Sequence, residues 1–333
     1  MVVAVTIILI IILSIFQINP ITFAMDTFNI SKTQAQVMGE VEVFEQADAA
    51  VTLAQEEIAA DKNVLPQIEE KVLTISLRPG FDPMPEITAQ SAIVIDADTS
   101  EVLFGKNISD ITSIASITKL MTALVVLDQE IDLNQEYTIT ADDRREGGRI
   151  YLFNGDIVTL DNLINASLVG SGNTETIAMV HAIGYEEQQF VDKMNDKAFE
   201  LGLKHTVFVD PIGLSSNNLS NSSDVAALLN IALSNEKIRG TTAKSSYRLV
   251  TKQGKTRIIE NTDMLLGSNE YEVLGGKTGY INSAGFCFAG KFQNENGNRI
   301  ISVVLNSAGV ELRFEDTKKL VDWTYNNYLW PKL

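Results

Sequence analysis

The chain has 333 residues, 45% hydrophobic and 21% charged, which fits a folded core and excludes a disordered polymer. Its 26 Lys and Arg against 43 Asp and Glu leave a net charge of −17, so a general nucleic-acid binder, which needs a basic face, is excluded. Two histidines and one cysteine exclude three-histidine zinc sites, cysteine-caged zinc sites and an intrachain disulfide framework, and leave only His181 or His205 for a serine–histidine–aspartate triad.

Val2 to Phe16 is almost unbroken Val, Ile and Leu, short for a spanning helix and well suited to the apolar region of an export signal. Thr22-Phe23-Ala24 is a candidate cleavage site, although no Lys or Arg precedes Lys32. Residues 1–24 are therefore expected to be a signal peptide or an N-terminal membrane anchor, with the rest of the chain outside the cytoplasm and membrane contact confined to this segment. Residues 25–78 are rich in Ala, Gln and Glu. Val37, Phe44, Val51, Ile58 and Leu65 recur every seven residues, yet the companion positions Val41, Asp48, Gln55 and Lys62 are mostly polar. An acidic, partly helical linker or stalk is expected, its helical part ended by Pro66.

From residue 79 the texture changes. Ser91–Ile95 and Glu101–Phe104 are β-type runs joined by the turn residues Asp96–Ser100, a hairpin signal. Apolar periodicity predicts helices over 114–127, 160–170, 174–182, 187–201 and 223–234. Strand signals return at Arg257–Ile259, Val273–Thr278, Gly285–Phe292 and Arg299–Leu305, before a last helix from about Glu311 to Tyr328. This order predicts an α+β fold over residues 79–333: one antiparallel sheet of the hairpin and the late strands, flanked by helices, with the helical block as a second lobe.

In Ile111 to Leu127 (ITSIASITKLMTALVVL), Lys119 is the only charged residue, on a helix apolar nearly all round and hence expected in the interior. Ser116 stands three residues earlier on the same face, near the helix start. A desolvated lysine has a lowered pKa and can take a proton from a hydroxyl beside it, while the helix start offers N–H groups to developing negative charge. The bland alternative is a surface-reaching lysine beside an N-cap serine. SxxK occurs again at Ser234 and Lys237, in a polar stretch read as noise, and SxN occurs at Ser171-Gly172-Asn173 and within Ser215–Asn218. Only Lys277-Thr278-Gly279 is a unique match, and the glycines at 275, 276 and 279 would let a ligand backbone approach that strand. Asn173 has a helix-capping alternative. Cys287, between Phe286 and Phe288, reads as a core residue, and both histidines read as structural.

In this order and setting the three motifs resemble the penicillin-binding, low-molecular-mass D-alanyl-D-alanine carboxypeptidases, whose fold is shared with the serine β-lactamases. The resemblance also takes in MNDKAFELGLKHTVFVDPIGL, VLGGKTGYINSAGFCFAG and ELRFEDTKKLVDWTYNNY, and covers roughly residues 79 to 330. It implies Ser116 as nucleophile, Lys119 as its base, Ser171 and Asn173 on the opposite wall, and Lys277 as a second cation. It further implies Thr278 with Arg313 on the terminal carboxylate, Gly279 and Tyr280 as substrate-binding residues, and the N–H groups of Ser116 and Tyr280 as the oxyanion hole. The implied substrate is the peptidoglycan stem pentapeptide, the implied inhibitors are β-lactams, and neither metal nor cofactor is implied. Two departures stand out: Thr174-Glu175 where the family has Asp-Ala, and Asp210 where it has Asn. Neither touches an expected reacting group, so substrate preference and efficiency are what they would change. The C-terminal β domain and anchoring helix of many members are not expected here.

Three other outcomes stay open on the sequence. A D,D-endopeptidase cleaves the same kind of bond in cross-links. A β-lactamase needs rapid deacylation, and no clear glutamate motif for a deacylating water stands between SGN and KTG. A non-catalytic β-lactam-sensing or wall-binding module would be expected to have lost some of the motif residues.

Overall fold

The computed structural model describes residues 75–267 and 271–331; the expected leader and all but the end of the expected linker lie outside the described residues. In chain order the elements are β1 (Ser76–Leu77), β2 (Ser91–Asp96), β3 (Val102–Lys106), β4 (Thr112–Ser113), a 3-10 turn (Ala115–Thr118), α1 (Lys119–Leu127), β5 (Glu136–Thr138) and β6 (Ile157–Thr159). There follow α2 (Leu160–Val169), α3 (Asn173–Ala182), α4 (Glu187–Glu200), β7 (Leu219–Ser220), α5 (Ser222–Ser234), α6 (Glu236–Thr242), β8 (Ser246–Val250) and β9 (Thr256–Glu260). The chain continues with β10 (Glu272–Ile281), β11 (Gly285–Gln293), β12 (Arg299–Ser307), α7 (Leu312–Asn327) and β13 (Tyr328–Leu329).

The main sheet has five strands in the order β10-β11-β12-β2-β3, every pair antiparallel. Its faces follow from the alternation of side chains along each strand. Ile93 and Ile95 of β2 and Ile301, Val303 and Leu305 of β12 enter one core, shared with the helical lobe. Their neighbours Ala92, Val94, Ile300 and Val304 enter a second core under α7, with Phe288, Phe314 and Trp323. The α+β architecture expected from the sequence is what forms.

The helical lobe is built round α1, where every residue from Lys119 to Val126 is buried. Three details differ from the expectation. The stretch 114–127 is not one helix: it begins as the 3-10 turn, because Ala115 takes a left-handed backbone (φ 46°) that an α-helix cannot include. Strand β9 does not join the main sheet; it pairs with β8, a strand with too mixed a surface to announce itself. The domain also takes in residues ahead of 79, since Ser76 and Leu77 pair with Leu329 and Tyr328. Among the described residues, no helix is long and apolar enough to cross a membrane.

Candidate active site

The main sheet and the helical lobe meet along a cleft of about 790 Å³. The 3-10 turn carrying Ser116 forms its floor, β10 one wall and the loop before α3 the other. The turn and β10 touch closely: a Cβ on Gly279 would lie 2.6 Å from the Ile114 carbonyl and 3.3 Å from the Ser116 nitrogen. Glycine in the KTG motif is thus required by the approach of the strand to the turn that carries Ser116. On the far side of that turn the Gly213 backbone, with φ 79°, sits so close that a Cβ would overlap the Ala115 carbonyl. The turn is therefore held between two glycine contacts.

Lys119 is completely buried. Its Nζ donates to Asn173 Oδ1 at 2.8 Å and to the Ile212 carbonyl at 2.6 Å, and lies 2.8 Å from Ser116 Oγ. A neutral amine has two N–H bonds and one lone pair, so with two acceptors taking the N–H bonds the lone pair is left for the Ser116 hydroxyl. A charged ammonium finds three acceptors at the same positions. Both protonation states are accommodated without rearrangement, which is what a proton acceptor in a closed site needs. Burial lowers the Lys119 pKa to about 7, against the opposing pull of the Asp210 and Glu175 carboxylates.

The opposite wall begins at Ser171, held in the left-handed region at φ 57° in front of α3. Asn173 does not cap that helix; its Nδ2 donates to the Glu146 and Gly147 carbonyls, which fixes Oδ1 toward Lys119. Lys277 is buried on β10, and its Nζ donates to Ser171 Oγ at 2.8 Å and the Thr278 carbonyl at 3.1 Å. Burial first, then repulsion from Lys119 and Arg313, drives the Lys277 pKa well down, so the two lysines do not comfortably hold two protons together. Thr278 Oγ1 donates to Thr262 Oγ1 at 2.6 Å. Tyr280, half-exposed at the cleft mouth, stacks on Phe286.

Arg313 is buried at the cleft rather than spread on the surface. Its Nη1 reaches the Gly279 carbonyl at 3.4 Å, its guanidinium lies over the Phe314 ring, and its Nε has no partner. Near it Asp263 is buried with one unpartnered oxygen, and burial raises its pKa to about 6. All nine expected site residues thus meet in one cleft or its wall.

The decoys lie elsewhere. Ser234 Oγ donates to the Ile231 carbonyl, and Lys237 pairs with Asp161. His181 Nδ1 binds Asp143 at 2.6 Å, His205 is exposed beside Asp224, and Cys287 is buried with its thiol on the Ala284 carbonyl.

The two family departures, Glu175 and Asp210, accept hydrogen bonds from backbone amides and bear on Lys119 through their charge. Glu175 is buried on α3, with Oε1 accepting from the Tyr151 and Leu152 amides and Oε2 unpartnered, and its field reaches Lys119. Asp210 also acts on Lys119. A carboxylate within reach of a base is a signal the sequence carries only once the fold has brought the two together.

Residues 80–309 match the family model described as D-alanyl-D-alanine carboxypeptidase. The chain is similar to the D-alanyl-D-alanine carboxypeptidase DacF of Bacillus subtilis, at 31% identity over 72% of this chain, and spans only 63% of that enzyme's length. It is 30% identical to the D-alanyl-D-alanine endopeptidase of Escherichia coli over 74% of this chain and 80% of that one. The crystal structure of a D-alanyl-D-alanine carboxypeptidase from Mycobacterium tuberculosis superposes with a TM-score of 0.68 at 29% identity, covering 76% of this chain and 98% of that one.

Proposed function

Because the chain belongs to the D-alanyl-D-alanine carboxypeptidase family, we propose that it removes the terminal D-alanine from peptidoglycan stem peptides through an ester on Ser116. The observation that carries this reading is the buried Lys119 amine, 2.8 Å from a serine hydroxyl and with its other hydrogens already committed.

Lys119 takes the Ser116 proton as Oγ attacks the penultimate D-alanine carbonyl, and the N–H groups of Ser116 and Tyr280 receive the developing oxyanion. The substrate's terminal carboxylate docks on Thr278 with Arg313, whose guanidinium is buried beside β10 with a nitrogen unpartnered. A carboxylate there favours a proton on Lys277, and a charged Lys277 in turn disfavours one on Lys119, so binding readies the base. Ser171, bonded to Lys277, passes a proton to the departing amine, D-alanine leaves, and water hydrolyses the ester. Asn173 orients Lys119 and keeps the second lone pair of its Oδ1 for a peptide N–H. β-Lactams would acylate the same serine.

A peptidase of stem peptides works outside the cytoplasmic membrane, and we assign residues 1–24 to export or anchoring and the linker to holding the catalytic domain, residues 79–333 with the strand ahead of them, at the wall. A second reading, endopeptidase action on cross-links, is favoured by a specific observation: the cleft lining includes Glu260, Asn261 and Met264 next to Thr262, the partner of Thr278, and so gives a bulky leaving group further surface to meet.

Incubating the protein with pentapeptide muropeptides and with cross-linked dimers, then weighing the products, separates the readings. Loss of one alanine from the pentapeptide is expected; conversion of dimers alone would establish the endopeptidase instead. Ser116→Ala should abolish labelling by fluorescent penicillin while Ser234→Ala leaves it intact, and equal labelling of both would defeat the site assignment.

A further inference from the structure

The Ile212 carbonyl is the shortest contact of the Lys119 amine, and it lies in a loop whose entry is held by Asn218 and whose turn is held by Asp210. Asp210 Oδ1 accepts from the amides of Ile212 at 2.8 Å, Gly213 at 2.6 Å and Leu214 at 3.3 Å, and Oδ2 accepts from Ser215 at 2.6 Å. Four amides converging on one carboxylate force the loop into a tight turn whose carbonyls point the other way, into the lobe. The preceding carbonyl, Pro211, accepts from Thr122 Oγ1 one turn along α1. Gly213, held by the same carboxylate, is the residue packed against the Ala115 carbonyl. One aspartate therefore fixes both the acceptor on the base and a backbone stop behind the nucleophile.

Granting Ser116 and Lys119 as nucleophile and base, we propose that Asp210 is a positioning residue: it fixes the Ile212 carbonyl against the lysine amine, holds a negative charge behind it, and so sets the acid limit of acylation. Three charged groups face Lys119 from the elements packed on it: Asp210 from this loop, Glu175 from α3 and Lys277 from β10. The two carboxylates favour the ammonium, whereas Lys277 and burial oppose it. Of the carboxylates, Asp210 is fully engaged by loop amides, while Glu175 keeps one oxygen without a donor and has its pKa raised by burial.

The amine works as a base only when unprotonated, so acylation fades as the pH falls through the lysine's titration. Removing the Asp210 charge makes the ammonium easier to deprotonate and moves that fall toward acid. An amide in its place keeps an oxygen for three of the four loop amides, so the turn survives with one bond lost.

The test is the rate of Ser116 labelling by fluorescent penicillin, measured on the full chain from about pH 5 to about pH 9 for the wild type, Asp210→Asn and Asp210→Ala. For Asp210→Asn, the acid limb should move down by about one pH unit. Asp210→Ala, which loses the acceptor of all four amides, should show a lower plateau as well, because the Ile212 carbonyl is no longer held. A limb unmoved in Asp210→Asn, with only the plateau lowered, would reduce Asp210 to a fold-supporting residue and overturn the proposal. So would failure of Asp210→Asn to fold, since the carboxylate would then be needed for the turn itself. A wild type whose labelling shows no acid limb at all would instead remove Lys119 as the base, a separate failure.

Discussion

Lys119 spends its entire side chain inside the protein, and the fold accepts this because three polar partners meet the amine. The arrangement opposes stability in a defined pH window. Its pKa of about 7 in the fold lies below the ordinary 10.5, so between those values the unfolded chain binds the extra proton and stability rises with pH. Lys119→Met removes that dependence while filling most of the volume. Thermal unfolding should therefore show the wild type gaining on Lys119→Met as the pH rises from about 7 to about 10. The variant should also lose labelling by about 10²–10⁴-fold, the usual span for a removed general base. A parallel pH dependence in the two proteins would mean that the amine is ordinary and charged throughout. The sequence made this residue legible, since a single charge in an apolar helix beside a serine is a strong signal. Asp210 and Glu175 stood out as departures from the family pattern, but their bearing on Lys119 was not legible, because one works through backbone amides of its own loop and the other through its charge.

At the scale of elements, the catalytic turn owes its position to β10 and to the loop of residues 210–215. Gly279→Ala tests the first contact. Its new methyl would meet the Ile114 carbonyl at 2.6 Å and the Ala115 side chain at 3.2 Å, both on the turn and neither a flexible chain end. The strand should retain its pairing with β11 and move away from the turn, taking Thr278 and the Tyr280 N–H out of line. Misplacement of about 1 Å in such a site costs about 10²-fold in rate, and labelling of Gly279→Ala should fall to that extent while its circular dichroism stays unchanged. Full labelling would mean that the turn tolerates retreat of the strand. The long strands and amphipathic helices were readable because one face of each is committed to a core. Strands β5, β6 and β8 were missed: they are three to five residues long, lie outside the main sheet and carry no clean alternation. The break at Ala115 was hidden too, since alanine ordinarily favours the helix it interrupts.

Across the whole molecule, the site exists only where distant segments meet. Lys119 takes its partners from positions 54 and 93 residues along the chain, and Lys277 finds Ser171 across 106 residues. Motif order suggested that these segments belong together; the order of strands in the sheet, and hence which wall faces which, had no sequence signal. Closing the lobe against the sheet is what strips water from the amine, so the chemistry depends on the assembled domain rather than on any motif alone. Nuclear magnetic resonance of the protein labelled with carbon-13 at the lysine ε position, with the Lys119 signal assigned by its loss in Lys119→Met, tests this most directly. Burial of the amine predicts that this carbon titrates with a midpoint near 7. A signal that stays in its ammonium position beyond about pH 9, as an ordinary solvated lysine's would, contradicts it.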